Sequence, residues 1–160
     1  LGTTYLLLPL YEHNSLENLG QKSKKQDYHH VKFSGKASCF PGVKWQIRKV
    51  HILEGIEIKS RNNGRRRIFY LDAQTHVPMI WKIYTQNSKL WKIIISAYSS
   101  SESHMPENVG TFAPIGTAFS TIDIQTNRCT TINMLTFINS SEVGVRDFDV
   151  ARMTSGKRFR

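Results

Sequence analysis

From Lys44 onward, apolar and polar positions alternate with a period of two, in short runs separated by turn residues. Lys44–Glu54 puts Trp45 and Ile47 on one face of a strand and Val50 and Ile52 on the other, and the change of face near Arg48 and Lys49 predicts a bulge. Ile56–Arg61 and Arg65–Asp72 flank Asn62-Asn63-Gly64, whose residues tolerate the positive φ of a tight hairpin turn. Pro78 cannot donate to a ladder, so it marks a turn or a strand start. Met79–Thr85 then alternates, with Met79, Trp81 and Ile83 on one face and Lys82 and Tyr84 on the other. Gln86-Asn87-Ser88 is a second turn. Lys89–Ser96 follows, with Trp91, Ile93 and Ile95 on one face. Residues 97–116 read as a longer loop, flexible around the serines at 99–103. Thr117–Gln125 and Arg128–Ile138 are further strands, and Asp147–Met153 is a last strand or a short helix.

Ahead of Lys44 the pattern is weaker. Residues 5–11 form a short apolar run interrupted by Pro9, without the features of a signal peptide. Residues 12–42 read as mostly loop, with a helical turn at 14–19 and a short strand within 29–37 around Val31 and Phe33. The chain thus divides into a loop-rich segment, 1–43, and a β-sheet domain, 44–160. About seven strands joined by short turns make an antiparallel meander, because two-residue connections forbid parallel neighbours. The fold class is mainly β with little helix: a curved sheet or an incomplete, half β-barrel. Strand–helix alternation and glycine-rich phosphate loops are missing from the sequence, which argues against a nucleotide-binding α/β fold.

Charge changes the picture in one place. The chain of 160 residues has a formal net charge of +10. Residues 1–20 carry −2, residues 21–67 carry +10 and residues 68–160 carry +2. The excess gathers in two clusters, Lys22, Lys24 and Lys25, then Arg61, Arg65, Arg66 and Arg67. Such a patch suits phosphates of nucleic acid or anionic lipid, or simply a solvated edge that discourages strand pairing. Hydrophobic residues at 39% and aromatics at 11% exclude a disordered chain.

Catalytic chemistry is poorly represented. The six histidines show no metal-binding spacing, so no metal or cofactor is expected. Gly-x-Ser-x-Gly is missing. Asp72 and Asp123 fall at strand ends, where an aspartate usually caps a turn rather than joining a carboxylate pair. Cys39 and Cys129 are a disulfide or two separate thiols. Aromatic residues instead recur on nearly every strand. A sheet with an apolar face and little helix to cover it needs another layer, a partner or an apolar ligand.

Residues 67–92 carry a more specific signal. Tyr70-Leu71-Asp72, Thr75, Tyr84 and Leu90-Trp91-Lys92 resemble a motif of LolA-like domains, the bacterial outer-membrane lipoprotein-sorting type. More closely, they are similar to the C-terminal half of an uncharacterised proteobacterial family of that fold. Arg48–Glu54, Ser120–Thr131 and Phe148–Arg152 with Arg158 extend the likeness over 44–160; residues 1–43 match poorly. Thr85 stands where an Asp is usual and Ser88 where a Gly is usual, which sets a non-glycine residue at a turn position suited to positive φ. The resemblance implies a non-enzymatic protein of the periplasm or outer membrane, binding a lipid or lipoprotein cargo on the concave apolar face of its sheet. Trp81, Ile83, Trp91, Ile93 and Ile95 are the cargo-facing candidates. An anionic membrane surface and other envelope proteins are the further partners to expect. The alternative is a basic β-domain that binds nucleic acid or anionic membrane through the 21–67 patch.

Overall fold

The computed structural model describes residues 2–9, 19–22, 29–57, 64–101, 108–134, 136–140 and 144–154. Its strands are β1 (Gly2–Pro9), β2 (Leu19–Lys22), β3 (His29–Val31), β4 (Phe33–Ser34), β5 (Phe40–Pro41), β6 (Trp45–Ile56), β7 (Gly64–Asp72), β8 (Pro78–Thr85), β9 (Leu90–Ser100), β10 (Pro114–Asp123) and β11 (Arg128–Asn133). Seven of them form one antiparallel sheet in the order β1-β6-β7-β8-β9-β10-β11, open at both edges. From β6 onward, each strand pairs with the next in sequence. A five-residue helix, α1 (Val150–Thr154), follows near the end of the chain.

Directly paired residues of antiparallel strands share a face, so the register sorts the side chains. One face carries Leu6, Leu8, Val50, Asp72, Tyr70 and Ile95, and the sheet curls toward it, bringing β1 near β8 and β9. There Leu8, Val50 and Met79 form a fully buried cluster backed by Tyr70 and Ile80. Residues 29–43 fold across the same inner face at the far edge. Val31 packs on Ala97 of β9 and Ala118 of β10, and its N–H donates to Asn133 Oδ1 at 2.8 Å. A Cys39–Cys129 disulfide ties this segment to β11.

Several sequence expectations change. β6 pairs without a register shift along its length, so there is no bulge at Arg48-Lys49; apolar residues simply occupy both of its faces. The shift lies instead in β8, between the partners of Tyr70 and Leu71. It releases Met79 from the face of Trp81 and lets it join Leu8 and Val50. The N-terminal stretch contributes an edge strand, β1, to the main sheet. β9 continues to Ser100, and Ser101 is buried, so the serine run is not an exposed loop through those positions. Leu19 begins a strand, while the rest of the helical turn expected at 14–19 and the Asn62-Asn63 turn lie outside the described residues.

Candidate functional site

The outer face is where apolar side chains meet solvent. Leu53, Phe69, Trp81 and Ile94 are direct cross-strand partners on β6, β7, β8 and β9. They make one apolar row across four strands. The Phe69 and Trp81 rings lie 6.1 Å apart, tilted by 39°. Leu53 is 44% exposed. Tyr5 and Leu7 of β1 and Ile47 of β6 share this face and are more exposed still, at 68%, 54% and 74%. Phe69, Trp81 and Ile94 are half-buried, so the outer face presents a broad, partly exposed apolar surface.

The next row, toward the β8–β9 and β10–β11 turns, is different. Arg67, Ile83, Lys92, Asp123 and Arg128 follow one another across β7 to β11 on the same outer face. Cations thus stand on alternate strands beside the apolar row. Asp123 is engaged locally: it accepts the N–H groups of Gln125 and Thr126 at 3.0 and 2.9 Å and the Trp91 indole N–H at 3.1 Å. The hydrogen bond from the Thr126 backbone, with those from Trp91 and Gln125, holds its carboxyl below the usual range. The β8–β9 ladder shifts register at Ile83/Tyr84, which frees Trp91 from strict alternation. Its ring lies under the Lys92 ammonium, 4.4 Å from the centroid. Trp91 also lines a partly open cleft of about 260 Å³ with Thr85, Gln86, Asn87 and Gln125.

The five cargo-facing candidates do not share one face. Trp81 and Ile83 lie on the outer face, and Trp91 sits at its charged end. Ile93 and Ile95 point inward, opposite Lys82 and Ile80, and Ile95 is buried in the sheet's interior side. Leu53, Phe69 and Ile94 complete the outer row, and the sequence pattern did not single them out for it. The available signal was that β6 and β9 have apolar residues at both odd and even positions.

Of the basic patch, Arg66 and Arg67 have described side chains, and they point to opposite faces. Arg66 pairs with Glu54 and covers the Tyr84 ring at 5.1 Å on the inner face; Arg67 is exposed on the outer. Lys22 and Arg65 are described only as backbone in β2 and β7, and Lys24, Lys25 and Arg61 lie outside the described residues. Asp72 and Asp123 fall at opposite ends of the sheet and three strands apart, so they form no carboxylate pair. No cluster of metal-binding side chains occurs among the described residues.

The open antiparallel sheet, curled over residues 29–43, is a LolA-like fold. A solved structure described as a "putative outer membrane lipoprotein-sorting protein domain" from Vibrio parahaemolyticus superimposes with a TM-score of 0.51 at 18% identity, over 77% of this chain and 46% of that one. The chain belongs to the DUF1329 family, described as a protein family of unknown function, whose model matches residues 1–154. The match includes the N-terminal stretch that supplies β1. A DUF1329 family protein from Desulfovibrio piger aligns at 13% identity and a TM-score of 0.48, over 78% of this chain and 45% of that one. The chain therefore spans less than half the length of both solved structures. Among curated proteins, none matches the sequence.

Proposed function

We propose that this protein is a non-enzymatic carrier that binds a hydrophobic or acylated cargo on the outer, convex face of its sheet, not on the concave face that the sequence resemblance implies, which Leu8, Val50, Met79 and residues 29–43 fill. The outer-face apolar row Leu53–Phe69–Trp81–Ile94, half-buried except for the exposed Leu53, carries the reading. Aromatic and branched side chains in one row offer a broad contact surface for an acyl chain. The two turn and strand-end aspartates are already committed to structural hydrogen bonds. The LolA-like fold supports a place in the periplasm or at the outer membrane, and the Cys39–Cys129 disulfide suits such an oxidising compartment.

The test is direct. The purified protein is extracted with organic solvent for lipid mass spectrometry, and its uptake of a fluorescent fatty-acid methyl ester is titrated. Co-purifying lipid, or saturable uptake weakened by Trp81→Ala, is expected. A lipid-free protein that takes up no ester overturns the reading.

A further inference from the structure

The outer face is apolar in one row and cationic in the next, and that pairing narrows the cargo. Successive same-face residues on a strand are about 7 Å apart, and neighbouring strands about 5 Å. Arg67, Lys92 and Arg128 therefore stand at intervals of about 10 Å along a line about 7 Å from the Leu53–Phe69–Trp81–Ile94 row. The carboxylate in that line, Asp123, is held by its own turn and by Trp91, and the described residues place no carboxylate in an ion pair with Arg67, Lys92 or Arg128. Ile83, between Arg67 and Lys92, continues the apolar surface into the charged row.

We infer that the site selects a single-chain amphiphile with an anionic head group. This rests on the cargo-binding reading above. The acyl chain lies over Ile83, Trp81, Phe69 and Ile94, and the head group sits between Arg67 and Lys92. Charge complementarity commits the surface to this occupant. A neutral chain of equal length gains the apolar contacts and leaves the cations unmatched. Lys82 is the internal comparison: it is also a cation on a central strand, but it faces inward, between Ile68 and Ile93, with its ammonium 5.2 Å from the Tyr70 ring centroid.

The experiment compares palmitoyl lysophosphatidylglycerol with palmitoyl lysophosphatidylcholine, each below its micelle-forming concentration, by titration against the intact chain. The anionic lipid is expected to bind at least about tenfold more tightly, as a charge-assisted contact allows. The Arg67→Gln/Lys92→Gln protein should lose that preference, while Lys82→Gln should keep it. Raising the salt concentration should erode the preference in the unmodified protein and in Lys82→Gln. Equal binding of the two lipids overturns the inference and leaves the carrier reading standing. So does a preference that survives the double substitution or disappears in Lys82→Gln. Binding only to phosphatidylglycerol vesicles, with no uptake of monomeric lipid, overturns it in favour of a membrane-docking surface. Failure to bind either lipid or the methyl ester overturns both proposals.

Discussion

Arg48 on β6 and Asp72 at the end of β7 form a two-pronged ion pair beneath the curled edge of the sheet. Nε donates to Oδ1 at 2.7 Å and Nη2 to Oδ2 at 2.9 Å. Asp72 is 1% exposed and also accepts the N–H and hydroxyl of Thr75 at 3.0 and 2.9 Å, which closes the turn into β8. The Asp and Thr positions of the sequence motif, Asp72 and Thr75, thus form a structural clamp with Arg48. Removing Arg48 strands a buried carboxylate, so Arg48→Met should destabilise the fold by about 3 kcal/mol. Urea denaturation at neutral pH measures this, and an unchanged midpoint would show that the pair contributes nothing.

The same clamp gives a pH dependence. Burial pushes the Asp72 carboxyl up, but the hydrogen bonds from Arg48 and Thr75 outweigh it and leave its pKa below the usual carboxylate range. A depressed folded-state value contributes stability that is full above the unfolded value, about 3.9. That contribution fades as the pH falls through the folded value. The unmodified protein should therefore lose stability below about pH 4, and Asp72→Asn should flatten that part of the profile. Thermal melting across pH 2–7, as flagged by the usual carboxylate range, reads both slopes; parallel profiles would refute the assignment.

Much of the sheet was legible because β8 and β10 alternate and the turns from β7 to β8, β8 to β9 and β10 to β11 are short. β1 was not, because Leu6, Leu7 and Leu8 form an unbroken apolar run and Pro9 suggested a stop. Pro9 does end the strand, at an edge where its missing N–H costs no ladder bond. The candidate site was legible only strand by strand. Alternation groups Trp81 with Ile83 and Ile93 with Ile95, but it misses the register shifts that move Met79 and Trp91 and does not say which faces coincide. Register decides that, and a shift of one residue exchanges the faces. Here Trp81 opposes Ile94, so Ile93 and Ile95 turn inward. The disulfide was undecidable from spacing, since its cysteines are 90 residues apart and meet only when residues 29–43 fold over β11.

That separation predicts a large effect. Closing so long a loop in the unfolded chain removes much of its entropy, so Cys39→Ser/Cys129→Ser should cost about 3–4 kcal/mol. Thiol titration of the denatured, unreduced protein should find no free cysteine. Two titratable thiols would contradict the pairing.

Ser88, at the position where the motif has glycine, adopts φ 59°. The turn is closed by Ser88 N–H to the Thr85 carbonyl at 3.0 Å and by Thr85 N–H to the Lys89 carbonyl at 2.8 Å. A serine side chain is strained there and a glycine is not. Ser88→Gly should raise stability by about 0.5–1 kcal/mol, against the usual entropic penalty of adding glycine. A loss of stability in chemical denaturation would mean that the turn does not hold this geometry.

The two faces of β6 separate packing from binding within one strand. Val50 is fully buried with Leu8 and Met79, while Ile47 is 74% exposed on the outer face. Val50→Ala should cost about 2 kcal/mol, from lost burial and the cavity left behind. Ile47→Thr should stay within about 0.5 kcal/mol of the unmodified protein, because it removes little packed surface and threonine suits a strand. Leu53→Thr, in the apolar row, should be nearly as mild for stability and yet weaken uptake of the fluorescent ester. A Leu53→Thr protein with full uptake would shift the site away from this row, whereas one that unfolds would show that Leu53 packs the fold rather than serving the cargo.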